Sequence, residues 1–384
     1  MRKLIILSAL LFAAATMATG QPVNSLTGLV RDSASGKPLA GVSVFLNNTV
    51  RGTVTRSDGS FLLQNIPRGS YELIISAIGY ETKIIAIDDA HLPGMMAITL
   101  HQKATELAAV TVEPYDRNGW AKWGRFFTDN FIGTGENAGL CRIKNKEVLR
   151  FHFYKRSNRL SITAAEPLII ENRALGYLLE YRLEEFVCDY NTNIVGYFGY
   201  PFFRELTPKK EDQRRTWIQK RQAAYNGSML HFMRSLYAGR AIAEGFLAEK
   251  KESVPNVERE RITAIYHPDF QGPGTFPMDT LYHFWNVLKE PDPLIRNIIQ
   301  GDDSLITIDS ARHRQLYFDS PLTVVYGAND RSREFFQSGI QLMSTSPVTV
   351  EENGYYYPSR EILTTGHWAQ SEKISNLLPL DYGL

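Results

Sequence analysis

The chain has 384 residues, of which 43% are hydrophobic and 22% are charged, and this composition is ordinary for a globular protein. Its 42 Lys and Arg residues nearly balance its 41 Asp and Glu residues, giving a formal net charge of +1. The balance excludes a strongly basic nucleic-acid-binding protein and gives no general attraction to acidic membranes. The length predicts two or three domains.

Residues 1–20 have the pattern of a secretory signal peptide. Arg2 and Lys3 form a charged start, Leu4 to Ala15 are apolar, and small residues end at Gly20, where cleavage is expected. The alternative is a short membrane anchor, but the apolar run is shorter than the roughly 20 residues of a spanning helix. We therefore expect export to the periplasm or outer membrane, with no transmembrane segment in the mature chain.

Residues 26–101 have the alternating pattern of a small β-sandwich. Val42, Val44 and Leu46 point to one face of a predicted strand, and a period of two is typical of a half-buried strand. Short turn sequences separate such runs. The turns are Ser35–Pro38, Asp58-Gly59 and Pro67–Gly69.

This run resembles the carboxypeptidase-D regulatory-like domain, a transthyretin-like sandwich. The residues that carry the resemblance are Gly28, Asp32, Gly36, Pro38-Leu39, Gly41-Val42, Thr53, Thr55, Asp58-Gly59, Phe61, Ile66, Gly69-Ser70-Tyr71, Ser76 and Gly79-Tyr80. The resemblance implies a non-catalytic module at residues 21–101. Such modules are appended to zinc carboxypeptidases and precede TonB-dependent outer-membrane receptors. Two roles are open, namely support of a neighbouring domain and docking of a partner.

Residues 102–117 are interpreted as a linker, similar to the segment that follows this sandwich in TonB-dependent receptors. Residues 118–384 are predicted to form one α+β domain with a largely antiparallel sheet, because strand patterns lie on both sides of a helical pair. A short final helix is expected to carry Ile374, Leu377 and Leu378. The W-x-x-W, NAGLC, YNGSMLHF and LLPLDY segments look like those of a group of exported proteins, and this resemblance implies no activity.

An aromatic stripe follows the predicted linker. Trp120, Trp123, Phe127 and Phe131 recur at helical spacing, which predicts an amphipathic helix. We expect the stripe to pack in a domain core. The alternatives are an aromatic ligand platform and a helix lying at a membrane interface.

The sequence lacks the motifs of several enzyme classes. A zinc carboxypeptidase needs His-x-x-Glu and a distant His, and no His of this chain has Glu three residues later. There is no Gly-x-Ser-x-Gly motif, so no nucleophile elbow is expected. Residues 133–138 fit a dinucleotide-binding pattern but follow a helix rather than a strand, which favours a turn. We therefore predict no catalytic residue, no metal and no cofactor, and Cys141 and Cys188 are either a disulfide or two separate thiols.

Two weak candidate binding sites lie in the helical pair. Arg214, Trp217 and Arg221 share one helical face, which suits an anionic polysaccharide or a lipid phosphate, although a solvated face has the same pattern. His231 and Arg234, with the nearby Ser235, lie on the polar flank of the next helix. His231 there is also consistent with a purely structural role.

These observations favour an exported, non-enzymatic protein that binds or assembles at the cell envelope. Its partner would be an outer-membrane receptor or a polysaccharide. The alternative is an envelope hydrolase that acts on glycan or peptide through carboxylates dispersed in the C-terminal domain. A closed cleft with two suitably spaced carboxylates would favour the hydrolase, and an open groove would favour binding.

Overall fold

A computed structural model describes residues 24–103, 115–266, 276–327 and 336–384. Contacts divide the chain into two compact units. The first unit takes in the described residues of Met1–Phe131, Leu140–Trp217 and Leu378–Leu384. The second unit takes in those of Ile132–Gly139 and Ile218–Leu377.

The first unit is built mainly of strands. They are β1 (Leu26–Asp32), β2 (Ser43–Leu46), β3 (Gly52–Val54), β4 (Ser60–Leu63), β5 (Ser70–Ser76), β6 (Lys83–Asp88), β7 (Met96–Leu100), β8 (Cys141–Ile143), β9 (Leu149–Tyr154), β10 (Arg159–Ala164), β11 (Leu168–Asn172), β12 (Tyr177–Asp189) and β13 (Ile194–Glu205). Helix α1 (Gly119–Phe131) belongs to this unit, and the division between the units falls within helix α2 (Glu211–Tyr225).

The second unit mixes helices and strands. Its helices are α3 (Met229–Tyr237), α4 (Val257–Ile265), α5 (Met278–Lys289), α6 (Asp302–Leu305) and α7 (Gly366–Ser371). Its strands are β14 (Phe246–Val254), β15 (Leu294–Gln300), β16 (Ile306–Ile308), β17 (Arg314–Leu316), β18 (Leu322–Tyr326), β19 (Phe336–Leu342), β20 (Val348–Val350), β21 (Tyr356–Tyr357) and β22 (Ile362–Thr365).

Strands β1–β7 form the predicted N-terminal sandwich. One sheet has the order β4-β1-β7 and the other has the order β3-β2-β5-β6. Alternate residues of both sheets are fully buried, including Val30, Val44 and Leu73, as the period of two predicts. Gly59 adopts a φ of +77° at a hairpin turn, and a Cβ atom there would lie 2.6 Å from the carbonyl oxygen of Val30. The sequence therefore needs glycine at this position.

The aromatic stripe of α1 packs on the next sheet of the first unit. This sheet has the order β8-β11-β12-β10-β9, and β13 also pairs with β12. Phe127 and Phe131 have no exposed surface, and the Trp123 ring stacks 5.8 Å from that of Phe153. The prediction that the stripe packs in a core is confirmed for Phe127 and Phe131, and Trp120 and Trp123 are half-buried against the same sheet.

The sandwich is joined directly to this second sheet. Phe45 and Ile74 of the sandwich form one buried cluster with Tyr200 of β13. Thr49 makes a parallel bridge with Phe202. The sandwich and β13 thus share a core within the first unit. Residues 104–114 of the predicted linker lie outside the described residues, and the predicted division into residues 21–101, 102–117 and 118–384 stays a prediction.

The second unit contains two antiparallel sheets around one core. Their strand orders are β15-β14-β18-β19-β22 and β16-β17-β20-β21. Phe232, Phe246 and Trp368 lie in the core, each at most 2% exposed. A sandwich followed by antiparallel sheets with a few helices confirms the predicted fold class.

The predicted final helix is wrong in its position. The helix is α7, which ends at Ser371, whereas Ile374, Leu377 and Leu378 follow it in turns and irregular backbone. Ile374 is nevertheless only 1% exposed. Burial alone accounts for the apolar residues, and three positions are too few to establish a helical period.

The structure shows the state of the two cysteines and the lengths of the described helices. Cys141 and Cys188 are both free thiols, so they do not form a disulfide. Burial raises the pKa of the Cys141 thiol to about 12. Across the described residues, no helix is long and apolar enough to cross a membrane.

Candidate functional site

The second unit contains a polar cavity of about 380 Å³, within the roughly 300–1,000 Å³ range of small-molecule sites. The end of α2, the loop before α3, helix α7 and the short 3-10 helix Glu136–Leu140 contribute to its walls. Its lining includes carboxyl, imidazole, amide and hydroxyl groups together with small residues. These are Glu136, Asn137, Ala223, Ala224, Asn226, Gly227, Ser228, His367, Ser371, Glu372 and Asn376.

Hydrogen bonds connect several of the lining side chains. The Lys220 ammonium donates to Glu136 Oε1 at 2.7 Å and to Asn137 Oδ1 at 3.0 Å. The Asn137 amide donates to Asn376 Oδ1 at 2.9 Å, and the Asn376 amide donates to the Ser371 carbonyl at 3.0 Å. This chain of bonds holds the amides of one wall in place.

Glu372 is a carboxyl group whose proton affinity is set by two opposing effects. Burial raises its pKa from an ordinary 4.5 to about 7, while a hydrogen bond from the Met229 backbone N–H opposes this rise. That N–H lies 3.1 Å from Glu372 Oε1 and belongs to the first turn of α3, where a helix favours negative charge. The loss of hydration is the larger effect, so Glu372 exchanges its proton near neutral pH.

The other titratable groups of the cavity are shifted in different directions. Hydrogen bonding to Lys220 and the charge of that residue lower the pKa of Glu136. Burial lowers the pKa of His367, which favours its neutral form at pH 7. One cavity therefore holds an ionised carboxylate, a neutral imidazole and a carboxyl that is partly protonated at pH 7.

Gly227 fixes the wall between α2 and α3. Its N–H donates to His231 Nδ1 at 3.1 Å, and its carbonyl accepts a bond of 2.8 Å from Trp368 Nε1. It adopts a φ of +76°, and a Cβ atom there would lie 2.6 Å from the Tyr326 ring. Both backbone groups and the ring therefore position this wall.

The buried His231 and Ser235 form a cluster with the half-buried Glu244 behind the wall. Because His231 Nδ1 accepts from Gly227, the proton lies on Nε2, which donates to Glu244 Oε2 at 3.0 Å. Ser235 Oγ lies 2.5 Å from the same carboxylate oxygen. The hydroxyl thus faces the carboxylate rather than the imidazole, so the three residues lack the Ser–His bond of a nucleophile and its base.

Charge and burial in this cluster favour a structural role. Burial lowers the pKa of His231, although the hydrogen bond and charge of Glu244 oppose this change. Burial tends to raise the pKa of Glu244, but its hydrogen bonds and nearby charges bring it below the ordinary value. A neutral His231 beside an ionised Glu244 follows, and His231 positions Gly227.

The remaining sequence-predicted site residues are not gathered in the cavity. Arg234 Nε donates to the Asn353 carbonyl at 3.0 Å. Trp217 is 5% exposed, and its indole N–H donates to the Arg173 carbonyl at 2.9 Å. Arg214 is exposed, and its Nη1 atom lies 3.7 Å from Glu211 Oε1. Trp217 therefore faces inward, and a binding role for these residues, and for the half-buried Arg221, stays a prediction.

Little of the cavity is marked by a sequence pattern. The Asn226-Gly227 break is a local signal, whereas the segment with Glu136 and Asn137 has the pattern of a turn, and no pattern singles out His367 or Glu372. The concentration of polar residues in GHWAQSEK, between apolar segments, is a weak signal for the α7 wall. Within the described parts of the chain, no group of three or more His, Cys, Asp or Glu side chains is placed to hold a metal ion.

Comparisons with known proteins give one informative match. No curated protein matches the chain. A solved protein from Bacteroides fragilis, titled membrane-associated and of unknown function, is 10% identical over 85% of this chain and 93% of its own, with a TM-score of 0.17. A 9R-lipoxygenase from Cyanothece is 11% identical over 62% of this chain and 52% of its own, with a TM-score of 0.16. Residues 26–112 match the family model of the CarboxypepD_reg-like domain, and this part of the chain is therefore a carboxypeptidase regulatory-like domain.

Proposed function

We propose that the chain is an exported, non-enzymatic binding protein of the cell envelope, and that the cavity of the second unit holds its ligand. The observation that carries the proposal is the convergence of amide, hydroxyl and carboxyl groups on a volume of about 380 Å³. A pocket with a few convergent polar groups and shifted pKa values is the usual form of a binding site.

The hydrogen bonds that fix the cavity walls support a binding role. Lys220 and Asn376 hold Asn137 from two sides, and Trp368 and His231 hold Gly227. A site whose groups are already bonded in position loses less conformational entropy when a ligand enters. The cavity is thus organised for recognition before any ligand arrives.

The envelope part of the proposal rests on the N-terminal region. Residues 1–20 have the signal-peptide pattern, and the domain at residues 26–112 is of the carboxypeptidase regulatory-like family. We place the mature protein in the periplasm or at the outer membrane. Its partner there is an outer-membrane receptor or a polysaccharide.

One observation favours the second candidate, an envelope hydrolase. Glu136 and Glu372 line the same cavity, and their pKa values are shifted in opposite directions. A carboxylate beside a protonated carboxyl is the combination used in glycoside hydrolysis. The lowered pKa of Glu136 arises from its bond to Lys220, however, and this ion pair also has a purely structural use.

A cavity-filling variant tests the proposal. Ala223 lines the cavity and is exposed on α2, so Ala223→Trp should block the cavity without disturbing a core. Ile218 is 53% exposed on the same helix and does not line the cavity, so Ile218→Trp is the matched control. A library of sugars, amino acids, dipeptides and nucleosides is screened against the full mature chain by ligand-observed NMR.

We expect at least one compound to bind wild type and Ile218→Trp, and to bind Ala223→Trp at least tenfold more weakly. Binding that is equal in all three proteins would contradict the proposal. Turnover of a bound compound that stops in both Glu372→Gln and Glu136→Gln would establish the hydrolase instead. Export is tested by cell fractionation. We expect a chain that starts at Gln21 in the envelope fraction, and an unprocessed chain in the cytoplasm would contradict export.

A further inference from the structure

We infer that the ligand of the polar cavity is a neutral saccharide unit. This inference rests on the proposed function, because it names the class of molecule that the same cavity binds. It follows from three properties of the lining, which are its hydrogen-bonding groups, its charge and its lack of apolar subsites.

The uncharged polar groups of the lining suit hydroxyl groups. Asn137, Asn226 and Asn376 each carry an amide that both donates and accepts, and Ser228 and Ser371 each carry a hydroxyl that does both. A sugar hydroxyl also donates and accepts, so it can join a hydrogen-bond network such as the one that links Asn137 to Asn376 and Asn376 to the Ser371 carbonyl. Recognition by several such pairs leaves few buried groups unsatisfied.

The charged groups disfavour ionic ligands. Among the described lining residues there is no Lys or Arg, and the ammonium of neighbouring Lys220 is 2.7 Å from Glu136. An anion would therefore have to compete with Glu136 for its cation. A cation would have to displace Lys220 from Glu136. The other lining carboxyl, Glu372, already accepts from the Met229 N–H at the start of α3, where the helix disfavours a bound cation.

The residue types and the secondary structure of the cavity walls disfavour a peptide ligand. The apolar side chains that line the cavity within the described residues are those of Ala223 and Ala224, which offer no subsite for a large apolar residue. Its walls come from helices and loops rather than from a strand edge, whereas extended peptides commonly bind by adding to such an edge. A compact, hydroxylated ring meets these conditions better.

Four small probes distinguish the ligand classes. N-acetylglucosamine is neutral, glucosamine carries an amine, glucuronate carries a carboxylate, and N-acetylalanine methylamide imitates a peptide. Each is titrated into the full mature chain at pH 7 by NMR, and into Ala223→Trp and Ile218→Trp. A single sugar ring of few atoms should bind with a dissociation constant on the order of 1 mM.

We expect N-acetylglucosamine to bind wild type and Ile218→Trp, to bind Ala223→Trp at least tenfold more weakly, and to bind at least tenfold more tightly than the two charged sugars. Tighter binding of the peptide mimic or of a charged sugar, lost in Ala223→Trp, would overturn the inference while leaving the binding function intact. The inference would also fail if no probe bound, or if the sugar bound Ala223→Trp unchanged. The library screen then decides separately whether the cavity binds anything.

Discussion

At Glu372, burial and hydrogen bonding shift the pKa of the side chain in opposite directions. Its carboxyl accepts from the first N–H of α3, an arrangement that by itself favours the charged form. Burial nevertheless raises its pKa to about 7. The folded chain therefore keeps a proton that the unfolded chain releases at lower pH.

This shift predicts the pH dependence of stability. The folded state binds more protons than the unfolded state between pH 4.5 and about 7. The contribution of Glu372 to the free energy of unfolding is therefore fully present below pH 4.5 and is lost as the pH rises through about 7. Glu372→Gln should therefore lose less stability than wild type between about pH 5 and pH 8. Urea unfolding at both pH values measures this. Glu352 is exposed, so Glu352→Gln is the control and should follow wild type. Equal losses in wild type and Glu372→Gln would show that burial does not raise the pKa of Glu372.

Helix α1 is the element that the sequence predicted best. Four aromatic residues at spacings of three and four define one face, and this local period needs no knowledge of the rest of the chain. The structure places Phe127 and Phe131 fully inside the first unit. The end of the chain has no comparable helical period. Ile374 lies in a turn and Leu377 in irregular backbone, so neither residue belongs to a helix.

The buried face of α1 gives a prediction at the scale of the element. Phe127 is completely buried, and its ring lies 5.0 Å from that of Phe186. Phe127→Ala should cost about 3–5 kcal/mol of unfolding free energy, because it leaves a cavity in a packed core. Arg125→Ala on the same helix, whose side chain is 95% exposed, should change it by less than about 0.5 kcal/mol. Urea unfolding compares the two variants, and a small loss for Phe127→Ala would show that the stripe is not a core.

At the scale of the whole molecule, the fold class was accessible from sequence and the cavity was not. Strand alternation and turn residues act over a few positions, so the sandwich could be predicted from them. The cavity instead combines Glu136, Asn226 and Glu372, which are far apart in the chain. Only the tertiary fold brings them together, and no local pattern marks residues that meet in this way.

The connection between sandwich and sheet was missed for the same reason. Phe45 and Ile74 were indistinguishable from ordinary strand residues in the sequence, yet they pack with Tyr200 of β13. This shared cluster and the Thr49–Phe202 bridge connect strands of the sandwich with β13 inside the first unit, while the linker at residues 102–117 stays a prediction.

The most direct test of the cavity as the binding site is to observe its own side chains. In a chain that starts at Gln21, the side-chain amide NMR signals of Asn137, Asn226 and Asn376 report on the lining, and those of Asn130 and Asn191 in the first unit are controls. The chain is titrated with the library compound that binds it most tightly. We expect saturable shifts of the three cavity amides, with the two control amides unchanged. Binding that leaves the three cavity amides unshifted would contradict this expectation.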